Sequence, residues 1–420
     1  MAAAASAIPA LRAGPVEAPV GCRPSNMDAW MRAHLAALGL GEIEGKVGAG
    51  DRLSFEDGVR LFNCPDTLAL GWLANREREK RHGARTYYNF NIRIEATNVC
   101  VASCLFCSFA RLRPGDPGSY TMSLEQVWDK LRQRAGQPLT EIHVVNGLHP
   151  DLPFSYYTDM LRGFKRIRPE IHLKCFTAVE IAFFADLYGR SDEQVLRELQ
   201  DAGLDSLPGG GAEVFAERVR KKICDDKCGA DRYLSIHRSA HRLGMRTNVT
   251  MLYGHIETLE ERVDHMLRAR ALQDDTGGLQ AFIPLAFHPD NNQMRKLPAP
   301  SAIETLRVHA VARLMLDNIP HIKAFWIATG VETAQLALWF GADDLDGTVQ
   351  EEHIYHMAGS RTPEGMTTRA IRRLIRAAGR EPIERDTLYN VVTGPGIERD
   401  SASGPLAEPP ESTQRPQPVF

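Results

Sequence analysis

The sequence predicts an α/β fold of the (β/α)₈ barrel type, with a partial, open barrel as the alternative. Strand-like and helix-like segments alternate across roughly 290 residues, and about eight such units can be counted. Neighbouring parallel strands need a crossover connection, which a helix supplies. The cysteine, glycine and histidine motifs all follow predicted strands, and in such barrels the loops after the strands carry the functional residues.

The individual elements are predicted from hydrophobic period and capping residues. Ser54 with Asp57, and Ser123 with Gln126, have the spacing of capping boxes that begin helices. Further helices are expected from 155 onward, over 257–273 and over 302–316. Strands are expected at 89–95, 141–146, 171–176, 205–207, 246–251, 280–285, 322–327 and 343–345.

Composition divides the chain into three parts. Residues 1–50 begin with a stretch rich in Ala, Pro and Gly and are expected to form a disordered or weakly helical extension. Residues 51–390 are expected to form the barrel domain. Residues 391–420, rich in Pro, Gly, Ser and Glu, are expected to form a disordered tail.

Charge and hydropathy exclude several classes of protein. The formal net charge is −3, so no nucleic-acid partner is expected. No run of eighteen or more apolar residues occurs, so no transmembrane helix is expected. The eight cysteines are spread along the chain and do not form a disulfide scaffold, which favours a cytoplasmic protein.

Three cysteines crowd together directly after the first predicted strand, as Cys100, Cys104 and Cys107. Three thiolates in a C-x₃-C-x₂-C pattern ligate three irons of a [4Fe–4S] cubane and leave the fourth iron open. A continuous helix would spread these positions along ~10 Å, too far for one compact cluster. The segment is therefore expected to be a loop wrapped around the cluster.

Other interpretations of the three cysteines remain. They could be buried structural residues, or zinc ligands with His82, His143 or His149 as the fourth. An electron-transfer cluster would need a fourth cysteine, and none lies nearby. A second pair, Cys224 and Cys228, lacks further ligands and is interpreted as incidental. A non-catalytic iron–sulfur or zinc-binding protein is therefore the alternative from another class.

The pattern, with Phe106 before the last cysteine, resembles the signature of the radical S-adenosylmethionine superfamily. This resemblance implies that the open iron binds S-adenosylmethionine and that Phe106 packs near its adenine. It also implies that an electron cleaves the sulfonium to a 5′-deoxyadenosyl radical, with a donor such as flavodoxin or ferredoxin.

Motifs that follow the cysteine loop in the sequence favour one group within this superfamily. They resemble those of the enzymes of the futalosine pathway of menaquinone biosynthesis and of the related deazaflavin synthases. The motifs GLHPD, TMLYGHIET and PLAFHPDN are most similar to those of the aminofutalosine synthase family. The resemblance extends across about 53–390. This implies a transferase that adds the adenosyl radical to 3-[(1-carboxyvinyl)oxy]benzoate, a chorismate-derived enol ether. The products would be 6-amino-6-deoxyfutalosine, methionine and bicarbonate. The alternative within the superfamily is a dehypoxanthine futalosine cyclase-like enzyme, which abstracts hydrogen.

Four further residues are predicted to bind S-adenosylmethionine. Asn146 and Gly147 follow the second strand, where related enzymes place a glycine turn near the methionine amino group, and glycine permits close backbone approach. Glu180 ends the third strand and could bond the ribose hydroxyls or the amino group. Glu213 follows the fourth strand at a helix opening. Each also has a structural interpretation, as a tight turn, a surface carboxylate or a first-turn helix residue.

Three histidines that follow strands, His149, His255 and His288, are predicted to be catalytic. Each could contact a substrate carboxylate or donate a proton, and a structural hydrogen bond is the alternative. Arg93 and Glu95 lie on the first strand, where the resembled family more usually has His and Asn. This departure concerns the choice among the related enzymes or the substrate contacts, and not the cluster.

Overall fold

The computed structural model describes residues 25–392. Its centre is a seven-stranded sheet in the order β2 to β8, in which every neighbouring pair is parallel. The strands are β2 (Asn91–Ile94), β3 (Glu141–Val144), β4 (His172–Cys175), β5 (Ser206–Leu207), β6 (Arg246–Tyr253), β7 (Leu279–Ala286) and β8 (His321–Ile322).

Three further strands form a second parallel sheet, in the order β10-β1-β9. They are β1 (Arg85–Asn89), β9 (Asp344–Gly347) and β10 (Glu381–Glu384). The prediction had merged the end of β1 with β2 into one strand over 89–95. The chain instead passes from one sheet to the other at Phe90.

Helices alternate with the strands of the barrel, as the crossover argument requires. Those of the described residues are α1 (Ser25–Ala37), α2 (Gly41–Ala49), α3 (Phe55–Phe62), α4 (Thr67–His82), α5 (Leu124–Arg132), α6 (Phe154–Ile167), α7 (Ala178–Tyr188), α8 (Asp192–Asp201), α9 (Glu217–Ile223), α10 (Ala230–Arg242), α11 (Leu259–Thr276), α12 (Ala302–Met315), α13 (Trp326–Thr329), α14 (Val331–Ala337), α15 (Ile354–Met357) and α16 (Thr368–Ala377). Both predicted capping boxes are confirmed, at Ser54 with Asp57 and at Ser123 with Gln126. None of the helices between residues 25 and 392 has the length and apolar character to cross a bilayer.

Isolated contacts bridge the gap between the first and last strands of the large sheet. β9 meets β8 through a parallel bridge between Lys323 and Asp344, and a bridge between Ile92 and Gln350 joins the following segment to β2. The α/β fold class is thus confirmed in its partial-barrel form. The strand predicted over 322–327 was wrong beyond Ile322, because the chain enters α13 at Trp326.

Two buried aspartates, Asp343 and Asp344, stabilise the region where β9 lies beside β8, which we call the β8–β9 seam. Asp344 accepts a hydrogen bond from Arg385 Nε at 2.6 Å, and both side chains are almost completely excluded from solvent. Asp343 Oδ2 lies 2.5 Å from His321 Nδ1, and its other oxygen accepts from the Ile322 amide at 2.8 Å. Because buried carboxylates are costly unless paired, Asp343 fixes the start of β9 against β8, and Asp344 fixes β9 against the segment after β10.

Helices α1 and α2 lie within the segment expected to be a disordered or weakly helical extension. Leu35, Ile43 and Val47 from these helices are buried in the main apolar core. Residues 1–24 and 393–420, which include the rest of the predicted extension and nearly all of the predicted tail, lie outside the described residues.

Substitution of Asp344 tests the buried pair that joins β9 to the segment after β10. Asp344→Ala is expected to lower the free energy of unfolding by about 3–5 kcal/mol, because the Arg385 guanidinium stays buried without its carboxylate. Denaturant midpoints followed by circular dichroism measure the change. The matched control is Glu193→Ala, which removes the carboxylate of an exposed pair with Arg197 (side chains 55% and 59% exposed). The control is expected to lose about 0.5 kcal/mol or less, and equal losses in the two variants would contradict the assignment.

Candidate active site

A cavity lies inside the barrel and reaches the loops at the carboxyl ends of the strands. Its wall includes most of the residues predicted from the sequence: Cys100, Cys104, Cys107, Phe106, Asn146, Gly147, Glu180, Glu213 and His288. The fold therefore brings together side chains that are separated by almost 190 positions in the sequence. His149 and His255 are not part of the wall.

The three cysteines lie on an irregular loop after β2, as the prediction required. Backbone hydrogen bonds hold this loop, from Cys100 N to Arg111 O at 2.8 Å and from Leu105 N to Ile223 O at 2.9 Å. Burial raises the pKa of each thiol, and the Lys227 ammonium opposes that shift. The loop is thus placed by the surrounding chain, with the thiols facing a largely buried space.

The donor set fits an iron–sulfur cubane better than a single metal ion. The three cysteine sulfurs do not all lie within 4.8 Å of one another. A zinc ion holds thiolates at about 2.3 Å, which requires sulfurs closer together than this. Among the described residues, His82, His321 and Asp343 are the only group with such close ligand atoms. That group lies at the β8–β9 seam and is hydrogen-bonded internally.

Gly147 is required by the cysteine loop itself. A Cβ at this position would lie 2.2 Å from the carbonyl oxygen of Val99. The Gly147 amide donates to Thr97 O at 2.9 Å, and the Val101 amide donates to Leu148 O at 3.0 Å. The close backbone approach predicted for a ligand is thus made by the neighbouring loop, which packs against the 146–148 turn.

Glu180 fastens the same turn from the other side. Its Oε1 accepts from the Asn146 amide at 3.0 Å, and its Oε2 accepts from the Thr177 amide at 2.7 Å. Thr177 and Glu180 form the capping box of α7. Burial raises the pKa of Glu180 to about 7, against the effect of these hydrogen bonds. The carboxylate therefore positions Asn146 at the edge of the cavity.

A cation that the sequence analysis did not single out lies beside the cysteines. Lys227 Nζ is 2.7 Å from Glu213 Oε1 and 5.2 Å from the ring centroid of Phe106. Its loop docks on the cysteine loop through Asp226, which accepts from the Ser103 amide and hydroxyl at 2.8 and 2.6 Å. The signal was a lysine between Cys224 and Cys228, in a segment interpreted as incidental because of its cysteines.

The three predicted histidines differ in position. His149 accepts from the Asp151 amide at 3.1 Å within its own turn. His255 contacts Glu257 at 3.0 Å and Leu252 O at 3.1 Å, and its side chain is fully buried. Both are therefore engaged in local structure away from the cavity wall. His288 lies in the wall, with Nε2 2.8 Å from Ala328 O.

One segment of the cavity wall, residues 352–358, is called the roof below. Its lining residues are Glu352, Ile354, Tyr355 and Ala358. Glu95 is buried and lies 2.9 Å from His353 Nδ1. Burial raises the pKa of Glu95, and the hydrogen bond to Glu95 raises the pKa of His353. Glu95 is thus an anchor for the roof.

Deeper in the cavity lie four basic side chains: Arg93, His143, Lys174 and Lys323. From the sequence, Arg93 was noted as a departure from the resembled family and His143 as a possible zinc ligand, whereas Lys174 and Lys323 were not singled out. The available signal was a basic residue within a predicted apolar strand, as at Lys174 between Leu173 and Cys175. Such a residue must point into a polar cavity or pair with a buried anion.

Comparison with known protein families identifies two matching regions. Residues 94–269 match the family described as "Radical SAM superfamily", and residues 276–396 match the "CofH/MqnC C-terminal region". An aminodeoxyfutalosine synthase of Thermus thermophilus is 50% identical over 83% of this chain and 95% of that protein. One of Streptomyces coelicolor is 45% identical over 87% and 98%. A 5-amino-6-(D-ribitylamino)uracil–L-tyrosine 4-hydroxyphenyl transferase of Methanopyrus kandleri is 42% identical over 76% and 88%.

Solved structures show the same fold at low sequence identity. Methylornithine synthase (PylB) superposes with a TM-score of 0.65 and 16% identity, covering 81% of this chain and 96% of that one. The hydrogenase maturase HydG of Carboxydothermus hydrogenoformans also gives 0.65 and 16%, covering 87% and 84%. Both therefore cover more than four fifths of this chain.

Substitution of Cys104 tests the cluster ligands. After anaerobic reconstitution, the unmodified protein is expected to hold about four irons and four sulfides per chain. Cys104→Ala is expected to lose most of them, because three thiolates are the minimum for this site. Iron and sulfide analysis measures the change. The control is Cys64→Ala, a buried cysteine outside the cavity wall, which is expected to keep the cluster. Full iron content in Cys104→Ala would refute the assignment.

Substitution of Gly147 tests the packing of the two loops. Gly147→Ala places a methyl group against the Val99 carbonyl, so the cysteine loop must move. A loss of about 1–3 kcal/mol in unfolding free energy is expected, as for overpacked sites, together with reduced iron content. The matched control is Gly136→Ala, where an added Cβ meets nothing within 4 Å. Equal behaviour of the two variants would show that the close approach has no consequence.

Proposed function

Because the chain belongs to the radical SAM superfamily, and within it to the family of the aminodeoxyfutalosine synthases, we propose that it catalyses the aminofutalosine synthase reaction. It joins the adenosyl group of S-adenosylmethionine to 3-[(1-carboxyvinyl)oxy]benzoate and yields 6-amino-6-deoxyfutalosine, methionine and bicarbonate. One observation carries the proposal: identity of 45–50% to two such enzymes across nearly their whole length. The cysteine-lined cavity supports it.

Cys100, Cys104 and Cys107 would hold a [4Fe–4S] cluster at the mouth of the barrel. The donor set supports this, since three thiols on one loop line the cavity without being close enough to share one ion. When bound, the cluster supplies the electron that cleaves S-adenosylmethionine. Flavodoxin or ferredoxin would deliver that electron. The seven cysteines of the described chain are unpaired thiols, which fits a cytoplasmic enzyme.

The residues around the cysteine loop would bind S-adenosylmethionine. Phe106 offers a ring face for the adenine, and Asn146 and Gly147 form the turn beside the cysteine loop. Glu180 holds that turn through the Asn146 amide and is itself fixed at the start of α7 by the Thr177 amide. Glu213, which is paired with Lys227, faces the cavity from the opposite loop. These groups would orient the cosubstrate at the open iron.

The roof and the walls would exclude water from the reaction. Leu252, Ile283, Leu285 and Phe287 provide apolar wall, and Tyr355 of the roof also lines the cavity. A dry, enclosed site limits side reactions of a reactive intermediate. Of the three predicted histidines, His288 lines the cavity, and it would hold a substrate carboxylate or donate a proton late in the reaction.

A product assay tests the proposal. The reconstituted, reduced enzyme is incubated anaerobically with S-adenosylmethionine and 3-[(1-carboxyvinyl)oxy]benzoate, and the products are separated by mass. The expected result is an adduct that contains the adenosyl group and has lost one carboxylate. A parallel incubation contains dehypoxanthine futalosine in place of the enol ether, and there the release of 5′-deoxyadenosine with cyclisation would instead support the cyclase. Zinc as the only bound metal would refute a radical enzyme.

A further inference from the structure

A layer of basic side chains crosses the inside of the barrel. Arg93, His143 and Lys174 stand at paired positions of neighbouring strands, since Arg93 is in register with His143 and His143 with Lys174. Lys323 completes this basic layer directly after β8, where its amide donates to Phe282 O at 2.9 Å. All four residues line the cavity. Three of them lie within strands and Lys323 follows β8 directly, whereas the cysteines lie on the loop beyond the end of β2, so the basic layer is the deep end of the cavity.

In direct contacts, the cations of the layer outnumber the carboxylates. Lys174 Nζ is 2.6 Å from Glu141 Oε2, and Lys323 Nζ is 3.1 Å from Asp346 Oδ1. Arg93 shares the same Asp346, at 3.5 Å. Three cations thus face two carboxylates. An excess charge inside a protein is costly unless an opposite charge neutralises it.

Two donor positions of the layer are unused. Arg93 Nε is buried and has no hydrogen-bond partner, and the same holds for His143 Nε2. The guanidinium carbon of Arg93 lies 4.5 Å from the ring centroid of Phe325, which keeps the planar group in place. Burial lowers the pKa of His143 well below its ordinary value, with Arg93 and Lys174 adding to the effect. His143 is therefore neutral and offers one donor or one acceptor.

A carboxylate fits both the charge and the open donors. The guanidinium edge matches a carboxylate in geometry, and hydrogen bonds between ionised groups are the strong ones. Lys323 has further ammonium donors beyond its contact with Asp346. The basic layer is therefore built to receive one anion of planar shape.

Taking the proposed function as its basis, we propose that the basic layer binds the benzoate carboxylate of the substrate, with Arg93 as the principal donor. The vinyl carbon that receives the adenosyl group must lie toward the cysteine loop. The enol carboxylate is attached to the neighbouring carbon and stays at that end. The benzoate carboxylate lies across the ring, so it reaches the deep end, where the excess cation is.

A binding cycle tests this assignment without turnover. Dissociation constants are measured by calorimetry for the reconstituted enzyme with S-adenosylmethionine and no reductant. The ligands are 3-[(1-carboxyvinyl)oxy]benzoate and its benzamide analogue, in which only the benzoate carboxylate is neutral. We expect Arg93→Gln to weaken binding of the benzoate at least about 30-fold, as for a truncated buried charge pair. The benzamide should bind both proteins about equally.

The control variant is Arg132→Gln, the same substitution at an arginine of α5 whose side chain is 46% exposed. It should bind both ligands as the unmodified enzyme does. Iron content and the affinity for S-adenosylmethionine should be unchanged in Arg93→Gln, which a general loss of structure would not leave intact. If Arg93→Gln does not fold or load iron, Lys323→Gln carries the same expectation.

The outcomes separate the two proposals. If the unmodified enzyme binds the benzoate and forms the adduct but Arg93→Gln binds it equally well, the basic layer is not the carboxylate site. The same conclusion follows if Arg93→Gln loses as much affinity for the benzamide as for the benzoate. If the unmodified enzyme neither binds the enol ether nor forms the adduct, the proposed function falls and the carboxylate assignment with it.

Discussion

Charge buried inside the barrel is the constraint on which the rest of the structure depends. Every ion there needs a partner, because desolvation costs several kcal/mol for each one. Glu141 meets this need for Lys174 and also accepts from the Thr387 hydroxyl at 2.9 Å, which ties the chain after β10 to β3. Asp344 does the same between β9 and Arg385. The pairs that neutralise the interior are therefore also the contacts that complete the partial barrel.

The two ends of the cavity are built by different kinds of structure. The mouth consists of loops that hold one another, through the contact of Gly147 with Val99 and the docking of Asp226 on Ser103. The deep end consists of side chains on hydrogen-bonded strands, whose spacing the sheet register determines. The loops at the mouth position the cysteines, whereas the strands at the deep end hold the basic side chains in a rigid array. A substrate held between the two would have its reacting carbon and its distal anion fixed independently.

The cysteine loop, the capping boxes and the long strands could be predicted because their signals are local. Spacing identifies Cys100, Cys104 and Cys107 without knowledge of the neighbours, and period two identifies a strand. The length of β8 could not be predicted, since a tertiary turn into α13 ends an apolar run that continues. The location of His149 and His255 outside the cavity wall could likewise not be predicted, because the position of a residue after a strand does not decide whether its side chain faces the cavity. Lys227 was missed because its role depends on the docking of one loop on another.

The register of the strands that carry the basic layer has a consequence for the evolution of such enzymes. Its members stand at matched positions of adjacent strands, and their backbone hydrogen bonds do not depend on side-chain identity. Exchange of one inward side chain alters what the deep end accepts while the cysteine loop keeps its own hydrogen bonds. Divergence toward new substrates is therefore open within the strands, provided that the remaining buried charges still balance. The cysteine loop can stay unchanged during such substitutions. The substrate that accepts the radical can therefore change in evolution while the radical-generating site is retained.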